Sequence, residues 1–264
     1  MFLSSLELSK DFCVNVRGTS LFSNTIDRLI ACLMWKYSLL EATETRLIYN
    51  TIKEGMTIID IGANIGYHTL MMGKRVKRSG VVYAFEPEES NYRLLEKNIQ
   101  MNKADNIFAI KKAVSDDISE GRIYINKWNR GDHRIYDSGD HRRFMPVETL
   151  TLDQFMKDKG RVDFIKLDIQ GAEYRALIGM ERTIEENENL VLIIEFSPYH
   201  LKKTGIGSDT FLSWIESRGF IIYLIDKKKR ALRSVDKKDL LELCKGKRYE
   251  NLWLSKIDFR SNNP

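Results

Sequence analysis

The sequence predicts an α/β fold built on a mostly parallel sheet, and three observations carry that expectation. Short β-type runs alternate with helical patterns through most of residues 55–225, the rhythm of βαβ units. The run Thr57-Ile58-Ile59-Asp60 leads through a Gly-rich turn, Gly62 to Gly66, into Tyr67-His-Thr-Leu-Met-Met, which can continue as a helix. The run Leu190-Val-Leu-Ile-Ile-Glu-Phe196 is almost wholly apolar, as a central strand buried on both faces must be.

Composition bounds the rest. A chain of 264 residues can bury a sizeable core as one large domain, or as one domain with an appendage. Hydrophobic residues at 43% and charged residues at 30% indicate a soluble globular protein. Cys13, Cys32 and Cys244 are odd in number and form no C-x-x-C, so a reducing compartment, the cytoplasm, is expected rather than a disulfide framework or zinc site. Glu7, Lys10 and Asp11 sit where a signal peptide needs an apolar core, and no apolar run is long enough to cross a membrane. A net charge of +5 falls short of a nucleic-acid footprint.

Residues 1–25 are weakly patterned. Ile26, Leu29, Ile30, Leu33, Met34, Tyr37 and Leu40 recur at three and four, one face of an amphipathic helix. Residues 1–40 are therefore expected to be a helical extension that covers the sheet or roofs the site, with a homodimer contact as the alternative; few cations on the polar face argue against a membrane role. Residues 41–264 form the main domain. A helix over Ala42–Ile52 delivers the chain into the first strand, and Val81-Val-Tyr-Ala-Phe85 is the second. A helix over Ser90–Met101 precedes Ile107–Val114, read as one strand with Ser115-Asp116-Asp117 at its tip.

Residues 119–149 break the rhythm. Gly121–Ile125 and Phe144–Val147 read as arms of an antiparallel, hairpin-like insertion. Between them lies a near repeat, Gly131-Asp-His-Arg134 and Gly139-Asp-His-Arg142. His133, Arg134, His141 and Arg142 can bind an anionic or hydroxylated substrate, or even a metal; a solvated loop is the alternative. Thr151–Met156 is a short helix, Val162–Asp168 a strand, and the segment after Gln170-Gly171-Ala172 a helix through Ile178. Phe211–Ser217 is a helix, Phe220–Ile225 a strand, Asp226–Arg230 a charged turn, and Tyr249–Leu254 a last, antiparallel strand.

The strand–turn–helix at residues 57–72 has the form of a nucleotide-binding corner. Its glycines do not follow G-x-G-x-x-G, because Asn64 holds the middle place and Gly66 comes one residue early, and no G-K-[ST] follows. Asp60, at the strand tip, would repel a pyrophosphate but suits a ligand with a positive amino group. S-adenosylmethionine has an ammonium on its methionine end and a sulfonium beside it. Asp60, Gly62, Ala63, Asn64 and Gly66 are thus expected to hold the methionine end. Glu86, twenty residues past Gly66 at the second strand tip, is placed to accept from two ribose hydroxyls. A polar side chain from Ser115 or Asp116 can reach the base, or these residues form an ordinary acidic turn.

Four motifs in series, Asp60-Ile-Gly-Ala-Asn-Ile-Gly66, Phe85-Glu-Pro87, Ile165-Lys-Leu-Asp-Ile-Gln-Gly-Ala-Glu173 and Ile194-Glu195, resemble the FkbM family of S-adenosylmethionine-dependent methyltransferases over roughly residues 40–200. The resemblance implies a Rossmann-like class I methyltransferase sheet, mostly parallel, of seven strands with the last antiparallel and helices on both faces. It implies O-methylation of a hydroxyl on a sugar, glycan or other secondary metabolite. The family usually has Glu where this chain has Gln170. The Gly-Asp-His-Arg repeat lies outside the shared motifs.

Methyl transfer is an in-line displacement that needs donor and acceptor held collinear, water kept out and the hydroxyl proton removed. Asp168 and Glu195 end strands at the same edge, and Glu173 follows Asp168 closely. Asp168 or Glu173 is expected to act as general base, or the pair to hold a divalent metal that lowers the hydroxyl pKa. Alternatively Asp168 and Glu195 bind the methionine ammonium or cap helices. His68 and His200 are read as structural. Competing functions are methylation of nitrogen or RNA, and a non-catalytic adenosine-ligand scaffold.

Overall fold

In the computed structural model, residues 7–38, 41–126, 132–137, 139 and 141–258 are described. The chain opens with an antiparallel hairpin, β1 (Glu7–Val16) and β2 (Thr19–Thr25), turning through Arg17 and Gly18, both at positive φ. The expected helical extension is therefore half β-structure. Inward-facing Thr19, Leu21, Ser23 and Thr25 are buried while Ser20, Phe22 and Asn24 are not. Three of the four buried positions are polar, which hid the period-2 alternation.

Helix α1 (Ile26–Lys36) follows, as its spacing predicts. It buries Arg28 and Cys32 but leaves Ile30 and Leu33 exposed, and Leu40 lies outside the described residues. Helix α2 (Ala42–Thr51) leads into β3 (Thr57–Ile61), α3 (Tyr67–Val76), β4 (Val81–Phe85) and α4 (Glu89–Met101). Backbone amides of Ser20 and Phe22 donate to the side chains of Asn102 and Asn98, which stitch β2 to the end of α4.

The run expected as one strand from Ile107 to Val114 is two. β5 (Ile107–Ile110) pairs with β4, whereas β6 (Ala113–Val114) leaves the main sheet and pairs with the insertion. The insertion is the expected hairpin of β7 (Glu120–Ile125) and β8 (Arg143–Leu150). Then come α5 (Leu152–Met156), β9 (Phe164–Leu167), α6 (Glu173–Ile178), α7 (Glu181–Glu186), β10 (Val191–Phe196), α8 (Pro198–Lys203), α9 (Ser208–Ser217), β11 (Ile221–Asp226), β12 (Ala231–Ser234), α10 (Lys237–Leu243) and β13 (Glu250–Ser255).

The main sheet runs β12-β11-β13-β10-β9-β3-β4-β5. It has eight strands rather than seven, because the charged turn at residues 227–230 returns the chain as β12 along β11. β13 is antiparallel to both of its neighbours, β10 and β11, as expected for the last strand. Alternation splits the core between the faces: Ile59, Ile61, Ile165 and Leu167 pack in one cluster, Ile58 and Phe164 in the other. Asp60 and Lys166, register partners across β3 and β9, fall on the face of Ile58. Strand order reverses at β3 and β9, so the crevice beyond their carboxyl ends is where an open α/β sheet binds its ligand.

Candidate active site

The turn after β3 is fastened to β4: the amides of Gly62 and Ala63 both donate to the Phe85 carbonyl, at 2.9 and 3.0 Å. Gly62 sits at φ +85°, and a Cβ there would lie 2.0 Å from the Asp168 carbonyl oxygen. The tips of β3 and β9 approach too closely for any side chain. Asn64 is left-handed at φ +51°, which turns its amide onto Glu86 Oε2 at 2.8 Å. Gly66, at φ +93°, opens α3 without a side-chain cap. Thr69 donates to Asp60 Oδ2 at 2.6 Å. The other Asp60 oxygen is buried with no partner among the described residues.

Gly62, Asn64 and Glu86 border a cleft whose empty space, open solvent included, is about 590 Å³. Its wall includes Gly62, Asn64, Glu86, Asp168 and Gln170. The donor set fits S-adenosylmethionine: an orphaned carboxylate oxygen at Asp60 suits a cationic group, and Glu86 suits hydroxyls. Glu86 already accepts from the amides of Asn64 and Glu88, and burial pushes its pKa up to about 7. Glu86→Ala is expected to weaken S-adenosylmethionine binding about 10- to 100-fold, the loss of one or two hydrogen bonds to a charged group. Calorimetric titration measures this, and an unchanged affinity removes Glu86 from the site.

Ser115 and Asp116 do not serve as expected. The cleft wall at this end is Lys112-Ala113-Val114. Ser115 donates to Asp116 at 2.9 Å, and Asp116 pairs with Arg175 at 2.7 Å. The break between β5 and β6 brings the chain to the cleft before residue 115.

At the mouth, the Gln170 amide donates to Asp168 Oδ1 and to Glu195 Oε2, both at 3.1 Å. One carboxamide thus links two carboxylates, a role a Glu at this place could not play while ionised. Burial, with Asp168 nearby, pushes Glu195 up to about 8. Glu173 is 2% exposed and spends both oxygens on the turn before it, accepting from the Ile169 and Gly171 amides at 3.2 and 2.8 Å. It holds the loop that aims Asp168, and is not presented as a base. Among the described residues no group of three His, Cys, Asp or Glu side chains is arranged to hold a metal, so the expected Asp168–Glu173 metal pair finds no support.

Behind Asp168 lies a cluster that sequence reasoning missed. Lys166, 5% exposed, donates to Asp168 at 3.3 Å and faces Asp60, Glu44 and Glu41 as well. Burial disfavours its charge, but the four carboxylates outweigh burial and hold it protonated. Glu44 and Glu41 come from the start of α2; Asn251 donates to Glu44 and Trp35 to Glu41. A lysine inside the apolar run Phe164-Ile-Lys-Leu was the available signal.

The insertion folds against this mouth. His133 lines the cleft, its Nδ1 accepting from the Asn126 amide at 3.1 Å. Arg134 grips Asp132 with two bonds, at 2.7 and 3.0 Å, and Arg142 joins it at 3.0 Å. The arginines expected to hold substrate therefore brace the loop around one aspartate. His141 is exposed at φ +56°, and Gly131 and Asp140 of the repeat lie outside the described residues.

A curated relative, tRNA(Phe) (4-demethylwyosine(37)-C(7)) aminocarboxypropyltransferase of Methanocaldococcus jannaschii, is 25% identical over 186 residues, 67% of this chain and 66% of its own length. Among solved structures, a Thermotoga maritima S-adenosylmethionine-dependent O-methyltransferase is 15% identical with TM-score 0.46, covering 94% of this chain and 78% of its own. A Streptococcus thermophilus rRNA methylase is 11% identical with TM-score 0.48, covering 82% and 96%. The model of the methyltransferase FkbM domain matches residues 60–222, from the Asp60 corner to the start of β11. That match takes in all four sequence motifs and more than half of the chain, which belongs to the FkbM-domain family of S-adenosylmethionine-dependent methyltransferases.

Proposed function

We propose that the protein transfers a methyl group to a hydroxyl of a sugar, glycan or secondary metabolite. The observation that carries this is the Asp168–Gln170–Glu195 chain at the mouth, two hydrogen-bond-accepting side chains held one amide apart beside the cleft. A hydroxyl is a weak nucleophile until its proton is accepted, and a carboxylate-lined mouth answers that need. The bound cofactor supplies an electrophilic methyl carbon on a sulfonium. The chain's own residues do the rest. Asp60 holds the methionine end of the cofactor and Glu86 its ribose, Glu173 fixes the loop carrying Asp168, and Asp168 and Glu195 line the mouth where the incoming hydroxyl is positioned.

Asp168→Asn is expected to lower turnover by about 10²-fold, the cost of a misplaced acceptor hydroxyl, with S-adenosylmethionine affinity within a few-fold. A loss of affinity instead would make Asp168 a ligand of the methionine ammonium.

A second reading is transfer to RNA. It is favoured by the name of the curated relative, a transferase acting on tRNA. Incubation with labelled S-adenosylmethionine, polyol acceptors and total tRNA decides between the two: label in tRNA alone overturns the hydroxyl reading.

A further inference from the structure

Three buried polar atoms beside the mouth have no hydrogen-bond partner among the described residues: Glu195 Oε1, His200 Nδ1 and Tyr136 Oη. Each belongs to a side chain whose residue is at least nine-tenths buried, at 5, 9 and 8% exposure. Unpartnered polar atoms under such cover are costly, and a native fold that collects three at one place is serving something that completes them. They come from separate elements: Glu195 from β10, His200 from α8 and Tyr136 from the insertion.

Their geometry is specific. Glu195 Oε1 and His200 Nδ1 stand 3.6 Å apart, too far to bond each other. Two atoms at that separation can both reach one oxygen at about 2.8 Å. The Tyr136 and His200 rings are 6.2 Å apart, and both pack on Gly171, where a Cβ would lie 2.8 Å from Tyr136 Cε1 and 3.1 Å from His200 Cβ. Gly171, at φ +107°, belongs to the loop that carries Asp168 and Gln170. The second Glu195 oxygen is the one Gln170 ties to Asp168, so the trio adjoins the cleft mouth through a single carboxamide.

We infer that Glu195, His200 and Tyr136 form the acceptor-hydroxyl subsite, and that His200 Nδ1 takes the proton of the hydroxyl that is methylated. This rests on the hydroxyl-transfer reading and names the group that removes the proton. One hydroxyl oxygen bridges Glu195 and His200, accepting from the Glu195 carboxyl, which burial keeps protonated up to about 8, and donating its own hydrogen to Nδ1, with the Nε2–H tautomer assigned to the ring. Burial holds His200 below the usual imidazole range, with Arg134 adding to the effect, so the ring is neutral and free to accept. Burial pushes Tyr136 up to about 12, so its phenol stays a donor. As the oxygen–carbon bond forms, the carbon–sulfur bond breaks and its electron pair stays on sulfur. The hydroxyl proton passes to His200, and the imidazolium beside Glu195 returns it to water once the ether leaves. Tyr136, carried by the insertion, is the third member of the subsite, its ring 6.2 Å from that of His200.

The test uses the full-length protein saturated with S-adenosylhomocysteine. Carbon-13 imidazole resonances are recorded while methyl α-D-glucopyranoside, methyl α-D-mannopyranoside, methyl α-L-rhamnopyranoside or myo-inositol is added. The His200 resonance is identified by its absence in His200→Gln. At least one polyol is expected to shift it, with the response about tenfold weaker in Tyr136→Phe and lost in Glu195→Ala, the cost of one or more hydrogen bonds. The rise in melting temperature caused by S-adenosylhomocysteine should be the same in all variants, showing an intact cofactor corner. A His200 resonance that no polyol moves, or a response surviving both substitutions, overturns the subsite. Methyl transfer to a polyol with His200 silent overturns the subsite alone, whereas label entering tRNA and no polyol overturns the hydroxyl reading together with it.

Discussion

Gly62→Ala is expected to destabilise the protein by about 3–5 kcal/mol and to abolish cofactor binding. Two costs add. The φ of +85° is left-handed, worth about 1–2 kcal/mol for a residue with a Cβ. The new methyl would also sit 2.0 Å from the Asp168 carbonyl oxygen, which is backbone and cannot swing aside. Either β3 and β9 separate or the turn refolds, and both move the amides of Gly62 and Ala63 off the Phe85 carbonyl. Gly139→Ala is the control. Its φ of +75° carries the same strain, but among the described residues nothing lies within 4 Å of a Cβ there, so a loss of only about 1–2 kcal/mol is expected. Thermal melts of the two variants separate the effects. Equal melting temperatures would mean that the approach of β3 to β9 is not the constraint at residue 62.

Lys166→Met is expected to cost about 3–5 kcal/mol near neutral pH, the usual consequence of removing one partner from a buried ionic cluster. The methionine fills similar volume, so the loss is electrostatic. Asp60, Asp168, Glu41 and Glu44 would then face one another without the Lys166 charge between them. The pH dependence carries the diagnosis. Burial pushes Glu44 up to about 8, with Glu41 adding to it, and burial with Glu195 nearby pushes Glu173 up to about 8. A carboxyl raised in the folded state binds more protons there than when unfolded. Its contribution is fully present below the unfolded value near 4.5 and is lost as pH rises through about 8. The wild-type protein should therefore melt higher at pH 5 than at pH 8. In Lys166→Met the fall should steepen and the deficit should shrink toward pH 5, where protonation does what the lysine did. A deficit that grows on acidification would mean that Lys166 is not the counter-ion of this cluster.

Much of the geometry of the candidate cofactor corner was legible because it is local. Asp60, Gly62, Asn64 and Gly66 lie within seven residues, and their conformations follow from a strand that must turn sharply into a helix. Glu86 was legible for a similar reason, since parallel strands joined by a helix bring consecutive strand tips side by side. Ser115 and Asp116 were misplaced because the strand before them breaks at Lys111 and Lys112, and pairing with β8, thirty-odd residues later, decides where it goes. The N-terminal hairpin escaped notice because its buried face is carried by Thr19, Ser23 and Thr25. Glu173 looked like a base by its spacing from Asp168, but backbone amides of a tight turn claimed both of its oxygens.

By itself, the sequence determined the sheet with its alternating helices, the antiparallel last strand, the strand–turn–helix corner at residues 57–72 and the carboxylate-tipped strands Asp168 and Glu195. All of these rest on short-range periodicity, glycine stereochemistry and the order of strands along the chain. Tertiary structure alone decided what each carboxylate faces. Asp60 meets Lys166 across a strand pair 106 residues apart in sequence, Lys166 meets Glu41 and Glu44 from α2, and Glu195 meets His200 and reaches Asp168 through Gln170. The chemistry of a buried acid is set by which charges and amides surround it at a few ångströms. Electrostatic and hydrogen-bond energies depend on distance through space, which the order of residues along the chain does not specify.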